Sequence, residues 1–250
     1  MPLVKTQAIT LKSRKWGEAD RIVTFYAKHL GKIRAVARGA RRAKSRMAAA
    51  LEPLTLCELN LFEKRGDTLY RVSQVDLIEP FVRFREDLTV MAAAARMANV
   101  VGAVTPDGDP DANLFDTLEH GLRSLVGSDD PALTALLFQI RLLGLTGFRP
   151  QTDQCAACGK TKIIHEPQFS PASGGLVCAT CAAGQRVPCL PLSRGSLAFL
   201  QQALRLAPTM ITRLKAAGQV RGEVEEAIES YVTVVAGRRI PPVDFLASSM

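Results

Sequence analysis

Histidine, tryptophan and long apolar runs are scarce in this chain, and each scarcity excludes something. Its three histidines, His29, His120 and His165, have no partner near them in sequence and offer little for general acid–base work. HExxH, GxSxG and GxGxxG do not occur. Gly159-Lys160-Thr161 ends like a phosphate-binding P-loop, but Gln154 stands where that loop needs its first glycine. The chain therefore reads as a non-enzyme. No apolar run approaches the roughly 18 to 20 residues that span a bilayer, since Gln139 and Arg141 interrupt the longest candidate, Leu133 to Leu145. No membrane association is predicted. The opening MPLVKTQAITLKSRKW alternates apolar and polar residues and predicts no secretion signal. Without one, six cysteines read as thiols or metal ligands, and the location as cytoplasmic.

Acidic residues are also scarce in the first third. Met1 to Arg85 holds 18 lysines and arginines against 8 aspartates and glutamates, whereas the remainder holds 14 against 16. This asymmetry predicts a polyanion-binding surface confined to the first part, with plain solvation as the alternative. With 47% apolar residues, the 250-residue chain can bury a sizeable core as one large domain or two smaller ones.

The pattern predicts an α+β protein. Thr6 to Lys12 reads as a strand with Gln7, Ile9 and Leu11 on one face and Ala8, Thr10 and Lys12 on the other. Arg21 to Lys28 and Ile33 to Ala37 form a hairpin around His29-Leu30-Gly31-Lys32, and Leu54 to Glu63 pairs with Thr68 to Leu77 across the turn 64–67. Five short strands suffice for a small barrel, most commonly an oligonucleotide-binding OB barrel, although an SH3-like barrel or open sheet reads alike. Past Pro80 helical spacing takes over: Glu86 to Val101, Asn113 to Val126, an all-round apolar helix opened by Asp130-Pro131, a helix capped by Ser193, and one or two between Thr209 and Ala236. The expected organisation is a DNA- or RNA-binding barrel over 1–80 and a helical domain over 81–250 with a metal module at 150–190.

That module rests on two CxxC pairs, Cys155-Cys158 and Cys178-Cys181, with 19 residues between them. A two-residue gap lets both sulfurs of a knuckle reach one ion, and two knuckles complete a tetrahedron, so the spacing predicts one Zn²⁺. Four thiolates leave no open position, which makes the ion structural. His165 or Cys189 could substitute for a ligand. Cys57, in a strand, reads as a small buried apolar residue.

Arg38, Arg41, Arg42, Lys44 and Arg46 form an acid-free run directly after a strand, and Lys12, Arg14, Lys15, Lys32 and Arg34 come from neighbouring strands. Such a loop beside a barrel face can follow a phosphate backbone. Trp16, beside Arg14 and Lys15, is the candidate for stacking bases, while Phe25 alternates with Val23 and reads as core.

Gly17-Glu18-Ala19-Asp20-Arg21, Leu30-Gly31-Lys32, Ala37-Arg38-Gly39-Ala40-Arg41-Arg42 with Ser45, Leu145-Thr146-Gly147-Phe148-Arg149-Pro150, and Phe169-Ser170 to Gly175 together resemble the RecO family of bacterial recombination mediators, over essentially the whole chain. The resemblance implies an N-terminal OB barrel and a helical body carrying a zinc-binding module. It implies binding of single- and double-stranded DNA, annealing of complementary strands, and, with RecR, loading of RecA onto DNA coated by the single-strand-binding protein SSB, without nucleotide hydrolysis. A nucleoid-associated location follows. Some relatives lack the cysteines, which favours a folding role for zinc. Arg141 and Arg149 are candidates for the acidic C-terminal tail of SSB, with an internal acid partner as the alternative for Arg141. Composition alone does not separate DNA from RNA, so an RNA-binding or ribosome-associated protein is the competing reading.

Overall fold

Strand β1 (Leu3–Trp16) runs well past its predicted ends at Thr6 and Lys12, and its length closes a barrel. Leu3 to Ile9 pair with β4 (Leu56–Phe62), and Ala8 to Trp16 pair with β2 (Asp20–Ala27) around a bulge between Thr10 and Lys12. With β3 (Gly31–Ala37) and β5 (Leu69–Glu79) the closed order is β1-β2-β3-β5-β4, and β3 runs parallel to β5. That order and the Greek-key crossover define an OB barrel, one of the three predicted alternatives. The sequence understated β1 because Ser13 to Trp16 show no apolar alternation.

This computed structural model describes residues 3–43, 45, 47–62, 69–161, 167–185, 188–205 and 214–240. The predicted turn at 64–67, His165, Lys44 and Arg46 lie outside them.

Small residues make the barrel interior tight. Ala8, Ala27, Ala35 and Ala37 face Phe25 and Leu59, and a 3₁₀ turn at Ala49–Leu51 plugs one end with Leu51. Alternation of small and large side chains lets a narrow barrel fill without voids. Cys57 is fully buried there, and the loss of solvation pushes its thiol up to about 12, which leaves it inert, as predicted. The predicted faces of β1 hold through Thr10, with Ala8 interior and Ile9 buried on the opposite face beside Tyr26 and Leu56, but the bulge between Thr10 and Lys12 moves Lys12 from the face of Ala8 to that of Ile9, opposite Thr24. Both faces are buried here, so apolar alternation could not tell inside from outside.

The cover on that outer face is helical. After α1 (Arg83–Glu86), α2 (Leu88–Val104) starts at the N-cap Asp87, whose carboxylate accepts from Thr89 N and Val90 N, and α3 (Ala112–Val126) starts likewise at Asp111. A Cβ on Gly102 of α2 would stand 3.8 Å from Leu11. Lys28 reaches Asp116 at 2.8 Å and lies over the Phe115 ring. The β2–β3 hairpin presses on the 105–111 loop so closely that a Cβ on Gly31, at φ +67°, would stand 2.2 Å from Asp109 O. For this reason the compact division of the molecule falls between Asp129 and Asp130 and not at the change from strand to helix after residue 80.

In the unit from Asp130 onward, α4 (Pro131–Leu145) is capped by Asp130 with proline at the first turn, as predicted, and is buried nearly all round. It packs with α6 (Arg194–Arg205) and α7 (Gly218–Ala236), the latter stopped by Gly237 at φ +65°. Ser193 caps α6 as expected, accepting from Ser196 N at 3.2 Å. A small sheet of β6 (Gln168–Ser170), β7 (Gly175–Val177) and β8 (Leu190–Pro191), with the short helix α5 (Ala179–Ala183), carries the cysteines. Phe169 meets Tyr231 of α7 edge-on at 5.9 Å. No described helix is long and apolar enough to cross a membrane.

Candidate nucleic-acid interface and metal site

Residues directly opposed in a sheet share a face, so the barrel register sorts the cations. Lys12 is opposite Thr24, and Thr24 is opposite Arg34; in the next row, Arg14, Ile22 and Val36 stand side by side, with Arg71 beside Val36. A third row begins with Trp16 opposite Asp20. The cations and Trp16 in these rows are exposed and the residues between them partly so, and Trp16 keeps 57% of its surface. The outer face of β1-β2-β3 is thus covered by helix and loop at its hairpin end and is open, cationic and flanked by tryptophan at the other.

The loop after β3 borders this open end. Ala37 and Ala40 point into the barrel core, so Arg38, Arg41 and Arg42 between and after them are left outside. Gly39, at φ +67°, makes the reversal possible. The loop is tied to the β1–β2 turn by Gly39 N to Asp20 Oδ1 at 2.8 Å and Arg41 N to Ala19 O at 2.9 Å.

The structure thus brings Lys12, Arg14, Trp16, Arg34, Arg38, Arg41 and Arg42 to one end of the barrel. It treats others differently. The ammonium of Lys32 is seated on Gly102 O and Thr105 O and on Asp107 at 3.2 Å, so this residue locks the hairpin to the loop and does not join the open face. Asp107 also meets Arg34 at 3.6 Å, although Arg34 stays half-exposed. Lys15 alternates with Arg14 and faces the other way, in register with Arg21, whose guanidinium binds Glu52 at 3.0 Å. Arg71 was missed because a lone cation in a strand gives no signal until its neighbours are known.

In the other unit, the Sγ atoms of Cys155, Cys158, Cys178 and Cys181 all lie within 4.8 Å of one another. Cys158 and Cys178 are 3.8 Å apart. A tetrahedron with metal–sulfur bonds of about 2.3 Å has edges of about 3.8 Å, so the donor set fits a thiophilic divalent ion. The knuckle geometry is built by backbone: Cys155 N donates to Lys160 O, Gly159 N to Cys155 O with Gly159 at φ +74°, and Cys178 N to Cys155 Sγ. Burial opposes ionisation of Cys155, but the N–H groups of Cys178, Cys158 and Ala157 aimed at its sulfur bring the thiol down to about 6. Crowding then appears at Cys181, pushed up to about 12 by its contacts with Cys178 and Cys158. A cation is the natural relief for such a cluster. Cys189 is not part of it.

Gly174 and Gly175 fold the second knuckle toward the first because nothing larger fits: a Cβ on Gly175 would stand 2.3 Å from Gln151 O. Arg141 of α4 forms no ion pair among the described residues. Its Nε is buried without a hydrogen-bond partner, and burial lowers its pKa. The internal acid considered from sequence is therefore absent among those residues. Arg149 is exposed.

Two family models account for nearly the whole chain: Recombination protein O N terminal matches residues 1–81, and Recombination protein O C terminal matches residues 85–241. The chain belongs to the RecO family. Relatives named DNA repair protein RecO include one from Desulforamulus reducens, 32% identical over 98% of this chain and 94% of that protein. Another, from Myxococcus xanthus, is 33% identical over 96% and 95%. A third, from Thermoanaerobacter sp., is 31% identical over 93% and 92%. The two RecO models meet at the end of β5, where the sequence changes from strand to helix, while the packing extends the first unit through α3.

Proposed function

We propose that this chain is a DNA repair and recombination mediator that binds single- and double-stranded DNA on the open face of its barrel and anneals complementary strands. With RecR it helps load RecA onto SSB-coated DNA. The observation that carries the reading is the register of β1, β2 and β3, which lines up Lys12, Arg14 and Arg34 with Trp16, beside the loop that carries Arg38 and Arg42. Lys44 and Arg46 belong to the same run in sequence. Cations bind phosphates by releasing counterions, and an aromatic ring stacks on any base, so neither contact occupies the edges that pair. Two strands held on such a surface repel each other less and can still read each other. No step calls for a catalytic group, and the protein acts in the cytoplasm on the nucleoid.

The metal proposed for the four cysteines is zinc. Its ligands Cys155, Cys158, Cys178 and Cys181 leave no place for water or substrate, so its role is to hold the 150–190 module together. The acidic tail of SSB is assigned to Arg141 and Arg149, supported by the lack of an ion pair for Arg141 among the described residues and by the exposure of Arg149.

A strand-annealing assay on complementary oligonucleotides coated with SSB, without nucleotide, tests the proposal. Acceleration by the intact chain is expected, with weaker effect on RNA of the same sequence. No acceleration would overturn the mediator reading, and equal action on RNA would favour the RNA-binding alternative.

A further inference from the structure

We infer that Arg41 is a positioning residue that holds the β1–β2 turn, and with it Trp16, in place for nucleic acid, instead of a phosphate contact itself. The inference rests on the DNA-binding reading of the barrel face and deepens it. One terminal nitrogen of Arg41, Nη1, donates to both Gly17 O and Glu18 O at 2.9 Å, and the main-chain N–H of Arg41 donates to Ala19 O. All three carbonyls of the turn 17–19 are therefore taken by one residue. Gly39 N adds the next anchor at Asp20, the residue opposite Trp16.

The turn has little else to fix it. Gly17 has φ +60° with nothing within 4 Å of where a Cβ would stand, and Glu18 is exposed. A three-residue surface turn without packing samples many conformations unless hydrogen bonds select one. Trp16 ends β1 immediately before this turn and pairs with Asp20 immediately after it, so a turn held in one conformation keeps this last pair, and with it the base of the ring, in place. An aromatic side chain adds most to binding when its orientation is set before the ligand arrives. Arg38 and Arg42, exposed on the same loop, are the residues that meet phosphate.

The test separates charge from geometry. Arg41→Ala, Arg41→Lys and Arg42→Ala are made in the full chain, and binding of a labelled oligothymidylate is titrated from 50 to 200 mM salt. Acrylamide quenching of Trp16, the single tryptophan, is measured on the free proteins. Lysine keeps the charge but is one bond shorter and has no guanidinium fork. Both Arg41 variants are expected to weaken binding about fivefold, the low end of one lost stacking contact. Their salt slopes should stay unchanged and Trp16 should become more quenchable. Arg42→Ala should instead reduce the slope by about 0.7 and leave quenching unchanged. Restored affinity in Arg41→Lys, or a slope loss in Arg41→Ala equal to that of Arg42→Ala, would overturn the positioning role. If the parent chain fails to bind DNA, the functional reading falls instead, and quenching still decides: a Trp16 quenched to the same degree in Arg41→Ala as in the parent refutes the clamp.

Discussion

Adding one methyl group at Gly31 should cost far more than adding it at Gly108, although both glycines adopt the left-handed conformation, at φ +67° and +72°. For alanine that conformation costs about 1 to 2 kcal/mol, offset by about 0.4 to 1 kcal/mol from the stiffer unfolded chain. At Gly108 nothing lies within 4 Å of the new Cβ, so the net loss should be about 1 kcal/mol or less. At Gly31 the Cβ would stand 2.2 Å from Asp109 O, 2.5 Å from its carbonyl carbon and 2.9 Å from its nitrogen. These are backbone atoms and cannot rotate away, so the 105–111 loop must retreat. Retreat breaks Gly108 N to Lys32 O and loosens the ammonium of Lys32 on Gly102 and Thr105. One neutral and one charged hydrogen bond are worth about 1 and about 2 kcal/mol, so Gly31→Ala should lose about 3 to 4 kcal/mol. Urea unfolding followed by circular dichroism reads the difference: at a slope of about 2 kcal/mol/M the midpoints of the two variants should lie about 1 M apart or more. Midpoints that coincide would refute the close approach of hairpin and loop, and with it the explanation of the Leu30-Gly31-Lys32 motif.

Three further outcomes are expected. Replacing Arg14 and Arg42 together by alanine should lower the salt slope for single-stranded DNA by about 1.4, and Lys15→Ala, which faces away, should leave it unchanged; equal slopes in all three proteins would dissolve the proposed face. Elemental analysis should return about one zinc per chain, and Cys155→Ser should lower that content and destabilise the 150–190 module; a parent protein without stoichiometric metal would end the zinc assignment. Glu223 loses solvation on burial, but donors from Ser196 Oγ, Ser193 N and Gln219 more than compensate and lower its pKa to about 2. A depressed carboxylate contributes its stability above the unfolded pKa of about 4.5 and loses it as pH falls toward 2, an effect of about 1 kcal/mol after solvent screening. Glu223→Gln should flatten acid unfolding over that window, and an unchanged acid limb would show that the Ser193 cap does not depend on this charge.

Several parts of the molecule could be read directly from residue order. The CxxC spacing located a cluster of four thiols because ligand reach depends on a few bonds between near neighbours, and Asp130-Pro131, Ser193 and Gly237 marked helix ends because capping is local. The run Arg38 to Arg46 announced a cationic loop because five charges with no acid among them have no place in a core. The full length of β1 was not legible, since its last residues make their contacts across strands and follow no apolar alternation.

Chain order by itself determined that a basic strand-rich segment precedes a helical one, that four thiols converge, and that the arginines after β3 stay outside. Only the tertiary structure decided which cations share a surface. Closure of the barrel set Lys12, Arg14 and Arg34 side by side, turned Lys15 away, and spent Lys32 on the 105–111 loop and Arg41 on the β1–β2 turn. Charge is a property of a residue, but a face is a property of a register, and register is fixed by pairings between segments far apart in the chain.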